Sequence, residues 1–309
     1  MSLALRPRIS IVVALACAFA LSFGVSPAES DTAASRAATW LDCRAAFSAV
    51  EQLTGAAGES VKPEPFGKPV EIGPQPGRGD GFEATVPTWF HVVHQTNGSG
   101  NVPTKAVHRQ LQVLQGSFLG YEGGTNSGFQ FTFAGITRTA NNTWYTAGPG
   151  SAGEHAMKQT LHRGGDNTLN VYLTSGAGFL GWAYFPSITD TPEAYLDGVV
   201  IDWRSMLDTS SQYQGQYDLG ETVPHEVGHW LNLHHTFQGG CSNPNDGVAD
   251  TPAQSSATNG CPIGRDSCPL PGLDPIHNYM DYSYDSCYTE FTPGQVLRMH
   301  DAWLQWRAN

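Results

Sequence analysis

The sequence predicts an α+β fold in which a twisted mixed β-sheet with packed helices is followed by an irregular, disulfide-stapled C-terminal subdomain ending in a helix. Between residues 84 and 202, segments of alternating apolar residues are interleaved with segments in which apolar residues recur at helical spacing. This periodicity disappears from Thr236 to Thr289, where Gly, Pro, Asn, Asp and Ser predominate and four cysteines occur. Such a segment is too polar to be held by a core of its own, so we expect disulfides there.

The first residues have the pattern of a secretory signal peptide. Arg6 and Arg8 precede an apolar run from Ile9 to Val25, and a small residue, Ala28, follows at a suitable cleavage position. A membrane anchor is the alternative, but a run of about 17 residues is at the short limit for a span. We therefore expect a signal peptide at residues 1–28 and a secreted, extracellular protein.

The acidic charge of the chain excludes several classes of partner. The formal net charge is −12 over 309 residues, and removal of the two arginines of the signal peptide brings it to about −14. Such a chain has no basic face for nucleic acid or for an anionic membrane. About 280 residues remain after cleavage, enough for one substantial core. We expect a monomer that binds neither nucleic acid nor membranes.

Residues 29–83 differ in composition from the rest of the chain. One short helical pattern, from Trp40 to Leu53, precedes a stretch rich in Pro and Gly from Lys62 to Gly81. This composition buries little surface and predicts a pro-segment and linker, although an N-terminal extension packed on the domain is an equal alternative. The globular domain is then expected at residues 84–309.

The domain begins with strands and helices in alternation. Val86–Val93 is rich in β-branched and aromatic residues and predicts a strand, and Thr104 is a suitable N-cap for a helix that continues to Phe118. The other expected elements are strands at residues 129–133, 169–173, 178–186 and 198–202 and a helix at residues 157–162. For the last helix, Thr292 and Gln295 form a capping box around Pro293, and Phe291 can pack on Val296.

The segment from His225 to His235 has the residue types and spacing of a catalytic metal site. His225 and His229 are four residues apart, so on a helix they lie on one face, where two imidazoles can bind one Zn²⁺. Glu226 is placed to reach a water on the metal. His235 can be the third ligand if the helix ends near Asn232, a residue type that tolerates the left-handed conformation.

Two alternatives apply to this segment. A helix can have two histidines and a glutamate by chance, although a third histidine at the right offset makes this a minor case. His234 competes with His235 as third ligand, but its offset of five from His229 is wrong for the usual geometry.

The motif His225–His235 resembles that of the metzincin zinc endopeptidases, H-E-x-x-H-x-x-G-x-x-H followed by a Met-turn. Within that clan, HEVGHWLNLHHTF followed by QGGC is similar to the pappalysin (cytophagalysin) family, with Asn232 in place of the glycine. The resemblance implies a metzincin-like fold and a zinc endopeptidase acting on protein or peptide substrates. It also implies that the strand Leu180–Phe185 lies at the sheet edge where an extended peptide pairs, whereas the residues alone equally fit an ordinary edge strand.

The same resemblance assigns residues in the irregular segment. Met280, within Asn278-Tyr-Met-Asp-Tyr282, matches the Met-turn that forms an apolar floor under the zinc ligands. Tyr282 matches a tyrosine that helps to hold the transition-state oxyanion. The resemblance also favours the disulfides Cys241–Cys268 and Cys261–Cys287; zinc ligation by these cysteines is the alternative, but no C-x-x-C pair supports it.

Two further sites are left open by the sequence. Asp246 and Asp250 supply oxygen ligands of the type that structural Ca²⁺ prefers, although acidic turns are usually only solvated. Cys43 lies in the predicted pro-segment and could keep a precursor latent by binding the zinc. For this role Asp42 is a rival, and burial of the thiol or an intermolecular disulfide together outweigh it.

The function expected from these residues is zinc-dependent hydrolysis of peptide bonds with Glu226 as general base and Tyr282 as oxyanion donor. Two other classes stay open: another zinc-dependent amidase, acting for example on cell-wall peptide, and an inactive protease-like secreted binding protein. The intact Glu226 argues against the inactive class.

Overall fold

The structure is a computed structural model, and it describes residues 71–308. The predicted signal peptide at residues 1–28 and residues 29–70 of the predicted pro-segment, which include Asp42 and Cys43, lie outside the described residues. The domain boundary expected at residue 83 therefore stays a prediction.

A five-stranded mixed sheet forms the centre of the domain, as the sequence predicts. The strands are β1 (Ala84–His94), β2 (Phe129–Ala140), β3 (Leu169–Thr174), β4 (Gly181–Ala183) and β5 (Val199–Asp202). In space they follow the order β2-β1-β3-β5-β4. All neighbouring pairs are parallel except the pair of β4 and β5, which is antiparallel and places β4 at one edge of the sheet.

Helices cover both faces of this sheet. They are α1 (Thr104–Leu119), α2 (Asn142–Tyr145), α3 (Ala152–Leu161), α4 (Thr222–Trp230) and α5 (Pro293–Trp306). The larger core joins one face of the sheet to apolar side chains of α1, α4 and α5. A second core joins the opposite face to Met157 and Leu161 of α3. Successive strand residues point to opposite faces, so neighbours such as Val92 and Val93 belong to different cores.

Several element bounds differ from the sequence prediction. The alternation of apolar and polar residues predicts that one face of β3 is exposed, but all six residues of this strand are buried. The reason is that α3 packs on that face. Helix α3 begins at Ala152 rather than near Met157, since the hydroxyl of Ser151 accepts a hydrogen bond from the Glu154 amide and caps an earlier turn. Thr104 is the first residue of α1, and the cap position is Pro103, which supplies no side-chain cap.

The segment between α4 and α5 has little regular structure, and two disulfides cross it. Cys241 is joined to Cys268 and Cys261 to Cys287, which is the pairing implied by the family resemblance. Helix α5 begins with the predicted capping box: the Gln295 amide donates to the Thr292 hydroxyl (3.1 Å), and the Thr292 amide donates to the Gln295 side chain (2.9 Å). Among residues 71–308, no helix combines the length and apolar character needed to cross a membrane.

Candidate active site

Three histidine rings converge beside the sheet. His225 and His229 project from α4, and the Nε2 atoms of these two residues are 3.2 Å apart. His235, beyond the end of the helix, brings its Nε2 atom to 3.0 Å from that of His229. All three residues are buried. Two nitrogen ligands on one tetrahedral Zn²⁺, each at 2.0–2.1 Å, would be about 3.3 Å apart, so the observed spacing fits one shared metal ion.

Hydrogen bonds to backbone carbonyl oxygens orient two of these rings. His225 Nδ1 donates to the Tyr279 oxygen at 2.6 Å, and His229 Nδ1 donates to the Leu233 oxygen at 2.7 Å. A carbonyl oxygen only accepts, so the proton of each neutral ring is on Nδ1 and the lone pair of Nε2 is available to a metal. The donor set, three imidazole nitrogens, therefore fits zinc.

The chain reverses at Asn232, where the sequence predicts the helix to end. Asn232 has φ of +72°, in the left-handed region. The Leu233 amide donates to the Gly228 oxygen and the Asn232 amide to the His229 oxygen, both at 2.9 Å. These two bonds are the 6→1 and 5→2 pair of a Schellman motif, which ends the helix and turns the chain back. Asparagine thus replaces glycine in the motif without loss of the turn that delivers His235.

His234 points to a different partner. Its Nε2 atom accepts a hydrogen bond from the Arg298 guanidinium at 3.2 Å, so it is turned toward α5. Burial and the charge of Arg298 lower the pKa of His234 to about 4, which keeps the ring neutral as an acceptor. The group of converging ring nitrogens therefore consists of those of His225, His229 and His235, and does not include those of His234.

Met280 packs directly under α4. Its side chain is fully buried, and its sulfur lies where a Cβ on Gly228 would clash with it. Gly228 is the fourth residue of the H-E-V-G-H segment, so the absence of a side chain there lets the methionine approach the helix backbone. The turn that holds Met280 also supplies the Tyr279 oxygen that orients His225.

Glu226 lies against the edge strand β4. A Cβ on Gly181 would be 2.9 Å from Glu226 Cγ and 3.0 Å from Glu226 Oε1. Glycine at this position therefore allows the carboxylate to lie beside the strand backbone.

Tyr282 lies beside two of the three histidines. Its ring centroid is 5.8 Å from that of His225 and 4.8 Å from that of His235. Phe237 supports this group, since its ring stacks on His235 and meets the Tyr282 ring edge to face, both at 4.9 Å. The structure thus brings together the three histidines, Glu226, Met280 and Tyr282.

Comparison with known proteins identifies the family. A family model described as pregnancy-associated plasma protein-A, of the M43 peptidases, matches residues 165–303. The extracellular metalloprotease of Colletotrichum graminicola is 48% identical over 230 residues, which cover 72% of this chain and 78% of that protein. This chain belongs to the pappalysin family. It is therefore a metalloendopeptidase. A second relative, the extracellular metalloprotease of Pyricularia oryzae, is 46% identical over 72% of this chain and 76% of that protein.

Two solved structures of mirolysin show the same fold. Mirolysin in complex with compound 9 aligns with a TM-score of 0.62 at 29% identity, over 73% of this chain and 96% of that chain. Mature mirolysin of Tannerella forsythia in complex with a cleaved peptide aligns with a TM-score of 0.61 at 30% identity, with the same coverage. The metzincin-like α+β fold predicted from the sequence is confirmed.

Some residues that shape this pappalysin site could not be predicted from the sequence. The carboxylate of Asp285 accepts hydrogen bonds from the Leu219 amide (2.9 Å) and the Glu221 amide (3.3 Å), at the start of α4, where a negative charge is favourable. Gly181 and Gly228 provide the clearances for Glu226 and Met280. No local pattern marks these roles, because each depends on a partner distant in the chain.

The two aspartates considered for calcium make contacts within the chain. Asp250 accepts hydrogen bonds from the Thr292 hydroxyl and the Gly294 amide, both at 2.8 Å, and so helps to cap α5. Asp246 is buried and accepts from the Val248 amide at 2.9 Å. Burial raises the pKa of Asp246 to about 7. The calcium site stays a prediction.

Proposed function

We propose that this pappalysin is a secreted zinc endopeptidase in which His225, His229 and His235 bind the metal and Glu226 is the general base. The observation that supports this most directly is the convergence of the three imidazoles, with the His229 Nε2 atom 3.2 Å from that of His225 and 3.0 Å from that of His235. Secretion is supported by the signal-peptide pattern and by relatives named as extracellular metalloproteases. A protein or peptide substrate is supported by the cleaved peptide in the mirolysin complex.

Each residue of the site has a separate part in the proposed reaction. Zinc, when bound, supplies a Lewis acid and lowers the pKa of a bound water toward 7. The hydrogen bonds from His225 and His229 to carbonyl oxygens hold these ligands in place before the metal arrives. Glu226 takes the proton of the attacking water and passes it to the leaving amine nitrogen. Tyr282 donates a hydrogen bond from its neutral phenol to the developing oxyanion.

Digestion of casein by the purified mature protein tests this function. We expect hydrolysis that is lost on chelation and restored by Zn²⁺. Hydrolysis that is insensitive to chelation would contradict the zinc mechanism. Failure to cleave casein or any other peptide, with zinc bound, would indicate the inactive binding protein instead.

The third zinc ligand is tested by a matched pair of substitutions. His235→Ala should lose zinc, because two imidazoles alone no longer enclose the ion. His234→Ala should keep about one zinc per chain, since His234 faces Arg298. Elemental analysis of the two purified variants measures this directly. Zinc retained in His235→Ala and lost in His234→Ala would reverse the assignment.

Tyr282 is tested by removal of its hydroxyl alone. Tyr282→Phe keeps the ring that packs on His235 and Phe237, so zinc content and folding should not change. We expect kcat to fall roughly 10–10³-fold, at or somewhat below the usual loss for an oxyanion donor. Steady-state kinetics on a peptide substrate measures it, and an unchanged kcat would remove Tyr282 from the mechanism.

We also propose that residues 29–83 are a pro-segment and that Cys43 holds the precursor latent. The support is its position as the one cysteine between the signal peptide and the C-terminal group. In the chain from Glu29 onward, Cys43→Ser should then be active without cleavage while the parent is not. Activity in the uncleaved parent would end the latency proposal, and activation only by Asp42→Ala would move the role to that carboxylate.

A further inference from the structure

A buried carboxylate lies behind the edge strand β4, on the face of the sheet opposite to α4. It belongs to Glu154 of helix α3. The indole nitrogen of Trp182, in the strand, donates to Glu154 Oε1 at 2.8 Å, and the hydroxyl of Tyr184 donates to Oε2 at 3.0 Å. Glu154 and Trp182 are fully buried, and Tyr184 is 4% exposed. One carboxylate therefore accepts hydrogen bonds from two side chains that are two residues apart in the chain and lie at the same edge of the sheet.

This carboxylate is charged in the folded protein. Burial opposes its ionisation, but the ammonium group of Lys158, 3.0 Å away, and hydrogen bonds from Trp182 and the Gly150 amide lower the pKa of Glu154 below its usual value. Hydrogen bonds to an ionised acceptor are shorter and stronger than neutral ones. The hydrogen bonds that Trp182 and Tyr184 donate to Glu154 are therefore charge-assisted.

The strand held in this way borders the catalytic residues on its other face. Residues alternate in direction along a strand, so Trp182 and Tyr184 point toward α3 while Gly181 and Ala183 point toward α4. Gly181 contacts Glu226 so closely that even a methyl group would be tight. A shift or rotation of β4 would therefore change the distance between its backbone and the general base.

The same network also reaches the helix that bears the zinc ligands. Lys158 donates to the Leu196 oxygen at 2.7 Å. The next residue, Asp197, accepts a hydrogen bond from the Trp230 indole at 3.0 Å, and Trp230 follows His229 directly. Strand β4, through Glu154 and Lys158, and helix α4, through Trp230, are thus both linked to neighbouring residues of one short loop.

The edge strand needs the support of these side-chain contacts because few backbone hydrogen bonds hold it to the rest of the sheet. Strand β4 contains three residues, and among the described residues it pairs with β5 on one side only. An edge strand is the place where an extended peptide adds to a sheet, and the register of that peptide decides which bond meets the catalytic groups. A strand that is held less firmly in place should therefore bind this peptide more weakly.

We propose that Glu154 is a positioning residue for the substrate, because it holds Trp182 and Tyr184 so that β4 presents its backbone to an extended peptide beside Glu226. This inference rests on the proposed function. It assigns substrate alignment to an ion pair on the face of the sheet opposite to α4, which bears His225 and His229.

The test compares two tyrosines of the same buried cluster. Tyr184→Phe removes one donor to Glu154 and leaves the Glu154–Lys158 pair intact. Tyr172→Phe is the matched control, because Tyr172 is equally buried in β3 and its hydroxyl has no hydrogen-bond partner among the described residues. Glu154→Gln removes the charge and is the stronger variant if it folds.

For an eight-residue peptide, we expect Tyr184→Phe to raise KM roughly 3–10-fold, the effect of one lost hydrogen bond, with kcat within about twofold. Glu154→Gln should raise KM further, and Tyr172→Phe should leave it unchanged. Zinc content should be constant in all variants. A lower thermal midpoint for Tyr184→Phe with an unchanged KM would show a purely structural role and overturn the inference.

Binding of the same peptide separates this inference from the proposed function. If the wild-type protein binds the peptide without cleaving it, the proposed function is wrong, and the dissociation constants of Tyr184→Phe and Tyr172→Phe then decide the inference. Weaker binding only in Tyr184→Phe supports it, and equal binding in the two variants overturns it. A wild-type protein that neither binds nor cleaves the peptide overturns both.

Discussion

Replacement of Glu226 by glutamine should lower peptide hydrolysis by roughly 10²–10⁴-fold, the usual contribution of a general acid–base residue. Glutamine has nearly the size of glutamate, so it fits the narrow space against Gly181 that holds the native side chain. It cannot take a proton from water at neutral pH. Zinc content should stay at about one per chain, because the three histidines and their carbonyl partners are untouched.

Glu193→Gln is the control for this experiment. Glu193 is exposed in the loop after β4, and its substitution makes the same change of charge away from the histidines. We expect full activity in that variant. Kinetics on one peptide substrate, with zinc measured in each sample, compares the two. Wild-type turnover in Glu226→Gln would mean that another group takes the proton.

The parts of this site that could be predicted from sequence are those set by local spacing. The offset of His229 from His225 and the left-handed tendency of Asn232 together define the end of α4 and the return of the chain to His235. The capping box at Thr292 is equally local. Such features need only a few consecutive residues, so they can be inferred before the fold is known.

Features that depend on distant partners could not be predicted in this way. Glu154 and Lys158 form an ordinary i,i+4 pair in sequence, and only the fold places Trp182 and Tyr184 on the same carboxylate. The burial of both faces of β3 likewise depends on α3, whose packing is not encoded in the strand itself. Tertiary contacts override local alternation in such cases.

Removal of one partner of a buried ion pair near the C-terminus of the described chain should be strongly destabilising. Arg307 and Asp197 are almost completely buried, and both oxygens of the aspartate accept from the guanidinium at 3.0 Å. The guanidinium also donates to the Trp230 oxygen at 2.9 Å and lies 3.5 Å from the centroid of the Trp230 ring system. It thus neutralises a buried carboxylate and binds a carbonyl at the end of α4.

Arg307→Met should lower the free energy of unfolding by about 3–5 kcal/mol, because it leaves the Asp197 carboxylate buried without a counter-charge. Arg109→Met is the control. Arg109 also pairs with an aspartate, Asp208, but both side chains are exposed (36% and 65%), so its loss should cost about 1 kcal/mol or less. Urea unfolding of the zinc-loaded proteins measures both.

A double variant separates the uncompensated charge from the lost packing. Adding Asp197→Asn to Arg307→Met removes the carboxylate charge while the amide oxygen can still accept from the Trp230 indole. If the buried charge causes most of the loss, the double variant should be more stable than Arg307→Met alone. Equal stability of the two would show that the contacts of the guanidinium with Trp230, at the end of the helix that bears His225 and His229, make the main contribution.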